Sequence, residues 1–274
     1  MSKAAVSRTC CVAALALMAL GLSGCGWFGG SSDDTYVELP VEVLYNRALD
    51  DLGRQEYKAA AKEFEEVDRQ HPYSVWATKA QIMAAFAYYQ SNKYDEAVIA
   101  LDRFIQLHPG HRDIPYAYYL KALCFYEQIS DVGRDQRMTQ QALDALAEVV
   151  KRFPESPYAR DARLKVELAI DHLAGKEMAV GRYYQSNQQY VGAINRYRVV
   201  IERYQTTTHV PEALHRLVES YLSLGVKQEA QEAAAVLGYN FPGSEWYQDS
   251  YYLMTGEGTP APSDEKRGWF FGLF

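Results

Sequence analysis

Cysteine is scarce where a disulfide would need it. Of four cysteines in 274 residues, Cys10, Cys11 and Cys25 lie near the N-terminus and Cys124 stands alone in the rest. One thiol cannot close an internal bridge, so stability must come from packing. Cys124 lies in an apolar, aromatic stretch and reads as a small buried apolar residue. Long apolar runs are also lacking, because no segment after residue 22 reaches the roughly 20 residues that a spanning helix requires. Positive charge is in deficit, with 28 Lys and Arg against 35 Asp and Glu. That balance argues against a nucleic-acid partner, whose phosphates call for a basic face. Catalytic signatures are missing too: there is no phosphate-cradling glycine loop, no His-Glu-x-x-His, no Gly-x-Ser-x-Gly and no Cys-x-x-Cys. No catalytic residue, cofactor or metal ligand set is therefore expected. His108 and His111 lack a nearby thiolate or carboxylate partner and sit where a helix stops. Asp131 to Asp135 lacks the closing glutamate of a calcium loop and carries Arg134.

What is present begins with an export signal. Lys3 and Arg8 precede an apolar core from Cys10 to Leu22, and no acid occurs in that stretch. The core leads into Leu22-Ser23-Gly24-Cys25, a lipobox, in which the cysteine thiol is acylated and becomes the first mature residue. Residues 1–24 read as the lipoprotein signal and 25–40 as a lipidated N-terminus with a linker. Loss of the signal removes two bases and no acid, leaving 26 basic and 35 acidic residues, a net charge of −9. Gly26 rather than aspartate follows Cys25, which points to sorting toward the outer membrane.

A repeat governs residues 41–255. Tyr57, Ala60, Phe64, Val67 and Pro72 recur as Tyr94, Ala97, Leu101, Phe104 and Pro109, 37 residues later. The marker alanines continue as Ala142, Ala193 and Ala230, at spacings of 45, 51 and 37. A small alanine lets two helices approach, and the large residue four positions on fills the gap on the same face. The proline ends the helix. Pro40, Pro115, Pro157 and Pro211 suit first helical turns, and Ser91-Asn92-Lys93 and Ser186-Asn187-Gln188 suit hairpin turns. The expected fold is all-α: about five tetratricopeptide-like helical hairpins, ten helices in all, stacked as a solenoid. The seventh helix, near 157–187, holds Gly175 and Gly181 and is expected to bend or break there. Residues 130–137 read as a solvated insertion.

Twenty-two tyrosines suit a recognition surface, since each offers a large contact area with a polar tip. Tyr45, Tyr88 and Phe125 fall on first helices, which in such a stack line an inner groove. A groove of this kind would accept extended, β-prone peptide.

From the lipobox to residue 240 the chain resembles the ComL/YfiO family of lipoproteins. The most specific run is Asp102-Arg103-Phe104-Ile105-Gln106-Leu107-His108-Pro109. It is flanked by Arg69-Gln70-His71-Pro72-Tyr73, Ala87-Tyr88-Tyr89, Arg152-Phe153-Pro154-Glu155-Ser156 and Ala193-Ile194-Asn195-Arg196. The resemblance implies a lipid-anchored scaffold on the periplasmic face of the outer membrane, within the β-barrel assembly machinery. It would bind unfolded barrel precursors through its N-terminal repeats and a BamA-type insertase through its C-terminal repeats, beside accessory Bam lipoproteins. Arg196 matches a family arginine, and a guanidinium can fork onto a partner carboxylate. The alternative is a repeat lipoprotein that scaffolds another periplasmic cell-envelope complex.

Residues 256–274 have no counterpart in that resemblance. Gly, Pro, Ser and charge predict a flexible linker, which is followed by the aromatic motif Gly268-Trp269-Phe270-Phe271-Gly272-Leu273-Phe274. That motif is read as an attachment element, either for a membrane interface or for a groove in a partner or in the chain itself.

One substitution tests the anchor. Cys25→Ser should leave the precursor unprocessed or the protein released from membranes, because stable attachment needs more than one acyl chain. Fractionation that finds the variant processed and membrane-bound would remove the lipobox from the account.

Overall fold

Proline, small residues and turn residues punctuate the chain into the helices they announce. The computed structural model describes residues 38–257. The signal, Cys25 with its linker as far as residue 37, and residues 258–274 with the aromatic motif lie outside the described residues. Among the described residues there are eleven helices and no strand. They are α1 (Val41–Gly53), α2 (Tyr57–Gln70), α3 (Val75–Gln90), α4 (Tyr94–Leu107), α5 (Ile114–Tyr126), α6 (Arg137–Arg152), α7 (Pro157–Ser186), α8 (Tyr190–Arg203), α9 (Val210–Ser223), α10 (Lys227–Asn240) and α11 (Glu245–Thr255). Each helix packs on the next. First helices also touch across hairpins, as α1 with α3, α3 with α5, α5 with α7 and α9 with α11. The result is five hairpins, as the alanine spacing predicts. The eleventh helix exceeds the ten expected and stands as a first helix after the fifth hairpin.

The same local devices recur at every hairpin. The turn inside four of the hairpins uses a residue at positive φ: Gln55, Asn92, Gln188 and Gly225. Second helices end on a ring-bearing residue at φ near −130°, namely His71, His108, Phe153, Tyr204 and Phe241. Proline follows four of these rings and holds the preceding residue out of the helical region. Ser74 and Ser244 cap α3 and α11 by accepting from Ala77 N and Tyr247 N at 3.0 and 3.1 Å.

The core is the repeat made solid. Ala60, Ala97, Ala142, Ala193 and Ala230 are all fully buried, as are Phe64, Leu101, Leu146 and Tyr197 four residues after the first four of them. Full burial of one such large side chain stabilises by roughly 1.5–3 kcal/mol. Cys124 is buried among these residues, and burial pushes its thiol up to about 12, so it stays protonated and inert.

Helix α7 corrects an expectation. It runs unbroken for 30 residues through both glycines. Gly181 is required by close approach, not by bending: a Cβ there would collide with the ring of Tyr197, whose hydroxyl donates to Gln185 Oε1 at 2.7 Å. Gly175 leaves room for the His209 ring and for Val132. The segment before α6 is likewise docked, not merely solvated. His172 Nε2 donates to Ser130 O at 2.8 Å, and Lys176 Nζ donates to Gly133 O at 3.1 Å. The extra turns of α7 thus carry the insertion that lengthens the third repeat.

A polar network fixes the last helices. Arg182 Nη1 on α7 donates to both carboxylate oxygens of Glu212 on α9, at 2.8 and 2.9 Å. Glu219 accepts from Gln185 Nε2 and Arg216 Nη1, both at 2.9 Å, and lies 3.4 Å from His215 Nε2. His215 Nδ1 lies 2.8 Å from Ser250 Oγ, which ties α9 to α11, and the Trp246 ring packs on the imidazole. Burial opposes the charge of Glu219, but the His215 hydrogen bond and the Arg216 charge outweigh it and bring the pKa down to about 2. A depressed folded-state pKa contributes stability that is complete above the ordinary value of about 4.5. It is lost as pH falls toward 2, and amounts to about 3 kcal/mol. In urea titrations between pH 7 and pH 2, Glu219→Gln should therefore lack this part of the acid sensitivity, with wild type and variant converging at low pH. Parallel curves over that range would show that the carboxylate is not held this way.

Candidate functional site in two related grooves

A groove of about 470 Å³ lies between α2 and α4, over α3. Phe64, Glu65, Asp68 and Arg69 form one wall, Gln81, Ala84 and Tyr88 the floor, and Glu96, Ile99, Ala100 and Arg103 the other wall. A second groove, of about 230 Å³, is lined by Tyr118, Lys121 and Phe125 of α5 and by Gln141, Asp144, Ala145 and Glu148 of α6. The two are the same place in successive repeats. Gln81, Ala84 and Tyr88 recur 37 residues on as Tyr118, Lys121 and Phe125, and Glu96, Ile99, Ala100 and Arg103 recur 45 residues on as Gln141, Asp144, Ala145 and Glu148.

One exchange explains the difference in size. Ala84 leaves the first floor open. At the equivalent position Lys121 reaches across to Asp102 on α4, with Nζ 2.5 Å from Oδ1, and closes that side of the second groove. Arg152 Nη1 donates to the Tyr118 hydroxyl at 3.1 Å and stiffens the rim.

The first groove has an ordered polar edge. Arg103 Nη2 lies 3.0 Å from Asp68 Oδ2, Gln81 Nε2 donates to Asp68 Oδ1 at 2.8 Å, and His108 Nε2 donates to Gln81 Oε1 at 3.0 Å. His108 and His111 also pack their rings on Phe104. Both histidines are therefore engaged in structure, and no cluster of three His, Cys, Asp or Glu suited to a metal occurs among the described residues. Tyr88 hydrogen-bonds Glu65, and burial together with that carboxylate pushes its phenol far above the ordinary range. The result is an apolar floor with a charged rim, suited to an extended peptide backbone flanked by apolar side chains.

The positions expected from the sequence separate here. Tyr88 and Phe125 both line grooves, but on the side walled by second helices, not along the row of first helices. Tyr45 lines neither of these two grooves. It is 9% exposed and packs its ring at 5.4 Å from Phe64 and 4.8 Å from Trp76, inside the first hairpin. It supports the wall that Phe64 presents. Arg196 sits on α8, half exposed, with Nη1 3.1 Å from Glu177 Oε2 of α7. Arg103, Ala84 and Lys121 were missed as groove residues. Their signal was present, because the run from Asp102 to Pro109 contains Arg103 and the 37-residue offset pairs Ala84 with Lys121.

Stacked helical hairpins with side grooves define a helical-repeat protein. The family model YfiO, described as "Outer membrane lipoprotein", matches residues 37–237. Over 256 residues the chain is 50% identical to the "Outer membrane protein assembly factor BamD" of Caulobacter vibrioides, covering 93% of this chain and 84% of that protein. It is 44% identical to the protein of that name from Rickettsia prowazekii, over 89% of this chain and 96% of that one. It is 36% identical to that of Neisseria meningitidis serogroup A, over 83% and 90%. Among solved structures, the TPR2AB domain of yeast Sti1 is similar at a TM-score of 0.40 and 11% identity, over 78% of this chain and 82% of that one. The chain belongs to the YfiO family of outer-membrane lipoproteins.

Proposed function

We propose that this protein is a non-enzymatic scaffold of the outer-membrane β-barrel assembly machinery, anchored by lipid at Cys25 on the periplasmic face of the outer membrane. The observation that carries this reading is the agreement over 93% of the chain with a relative named an outer membrane protein assembly factor. The grooves agree with the role. Unfolded barrel strands expose open edges that aggregate, and a groove with an apolar floor and a charged rim can hold such a segment while its backbone stays polar-paired. A tether raises the local concentration of the held chain beside the insertase without any nucleotide. In this reading the N-terminal grooves at Tyr88 and Phe125 hold barrel precursors. The C-terminal repeats, with Arg196, meet a BamA-type insertase, and accessory Bam lipoproteins complete the assembly. No helix among the described residues is long and apolar enough to cross a membrane, so attachment falls to the lipid in this account. A scaffold for another envelope complex is not favoured by these relatives.

Two experiments test the reading. A photo-crosslinker at Tyr88 or Phe125 should capture a barrel-precursor peptide, whereas one at the buried Tyr45 should not. Capture only from the C-terminal repeats would overturn the groove assignment. Arg196→Ala should reduce co-purification of the insertase from detergent-solubilised membranes while far-ultraviolet circular dichroism stays unchanged. Equal recovery would remove Arg196 from the interface.

A further inference from the structure

The repeat continues further than its paired helices. Tyr57, Ala60, Pro72, Ser74 and Trp76 correspond to Lys227, Ala230, Pro242, Ser244 and Trp246, each 170 residues on. By position α10 and α11 answer to α2 and α3, and the two serine caps are built alike, although α11 is five residues shorter than α3 and packs more on α9 than on α10. After α3 the chain turns at Asn92, at φ 58°, and returns as α4 to complete the first groove. Gly256, at φ 73°, ends α11 in a left-handed conformation six positions before the place that Asn92 holds after α3. The next residues in sequence, Glu257-Gly258-Thr259-Pro260-Ala261-Pro262, do not suit a direct helical return, because their prolines block regular helix. Helix α11 is thus a first helix whose partner side is left open by the described residues.

The exposed face has lost the charges of its counterpart. The positions of Glu65, Asp68, Arg69 and Gln81 in the first groove are held here by Ala235, Gly238, Tyr239 and Tyr251. Tyr239 is 88% exposed, and Val236 on α10 and Tyr251 and Leu253 on α11 are exposed as well. The Tyr247 ring lies over Gly238 and against Tyr251, which makes the floor continuous. Terminal units of a repeat stack need their outer face covered or made polar, and among the described residues none covers the Tyr239 ring.

We propose that the chain's own motif Gly268–Phe274 covers this face and stands in for the missing second helix. The residues between Glu257 and the motif, 258–267, span at most about 35 Å, several times the 8–10 Å between packed helices. So short a tether gives an effective concentration in the millimolar range. Trp269, Phe270, Phe271, Leu273 and Phe274 supply the apolar area that Tyr239, Val236 and Tyr251 lack. The motif is thereby a cis cap on the C-terminal repeats. This inference does not depend on the assembly reading, and its test uses no other protein.

The test is carried out on the full lipidated chain, purified in detergent, with p-benzoylphenylalanine at position 271. Irradiation should yield crosslinks within one chain to peptides between residues 234 and 254. Tyr239→Asp combined with Tyr251→Asp should cut that yield at least about tenfold, since the burial of one aromatic side chain is worth that much. Deletion of 268–274 in the otherwise unaltered chain should speed amide exchange in α11 by about tenfold. Crosslinks chiefly between copies, or to detergent, would overturn the proposal. So would α11 exchange unchanged by the deletion.

Discussion

The structure rests on the distance at which two helices can approach. Each second helix carries a fully buried alanine where it meets its neighbours. The alanine sets the separation and the residue four positions later fills what remains, so helix spacing and core filling are decided together. Gly181 is the extreme case. There the spacing residue has lost its Cβ altogether, because the filler on the facing helix is the whole ring of Tyr197.

That constraint also makes the surface. If every hairpin is laid down at the same offset, the clefts between second helices recur at the same offset. The chain then tunes each cleft by side-chain choice on a fixed frame. Ala84 opens one groove and Lys121 with Asp102 narrows the next. In the last unit tyrosine and glycine replace charge, and the cleft becomes an apolar face. One backbone plan yields three surfaces of different character.

Much of this was legible in the sequence, and what was not has physical causes. Helix positions were readable because proline, serine caps and turn residues act locally, and the alanine spacing located the hairpins. Helix α11 escaped because it has no second helix to repeat against, although Ser244 and Trp246 repeat Ser74 and Trp76. The direction of Tyr45 could not be read. Register places a residue on a helix, but the side its ring turns to is settled by neighbours such as Phe64 and Trp76. Gly181 looked like a breaker because its reason, Tyr197, lies on another helix. The closing of the second groove depended on a pair, Lys121 and Asp102, 19 residues apart, which no local pattern joins.

The hairpin turns carry one more consequence. Three of the four left-handed positions are held by Gln55, Asn92 and Gln188, and only Gly225 is glycine. For a residue with a Cβ this conformation costs roughly 1–2 kcal/mol, and asparagine eases it somewhat. The two glutamines have no such relief, so each first-to-second helix reversal there is held against its own preference by the packing of the helices it joins. The fold is accordingly less stable than its architecture allows, and that margin could be recovered without touching core, groove or cap.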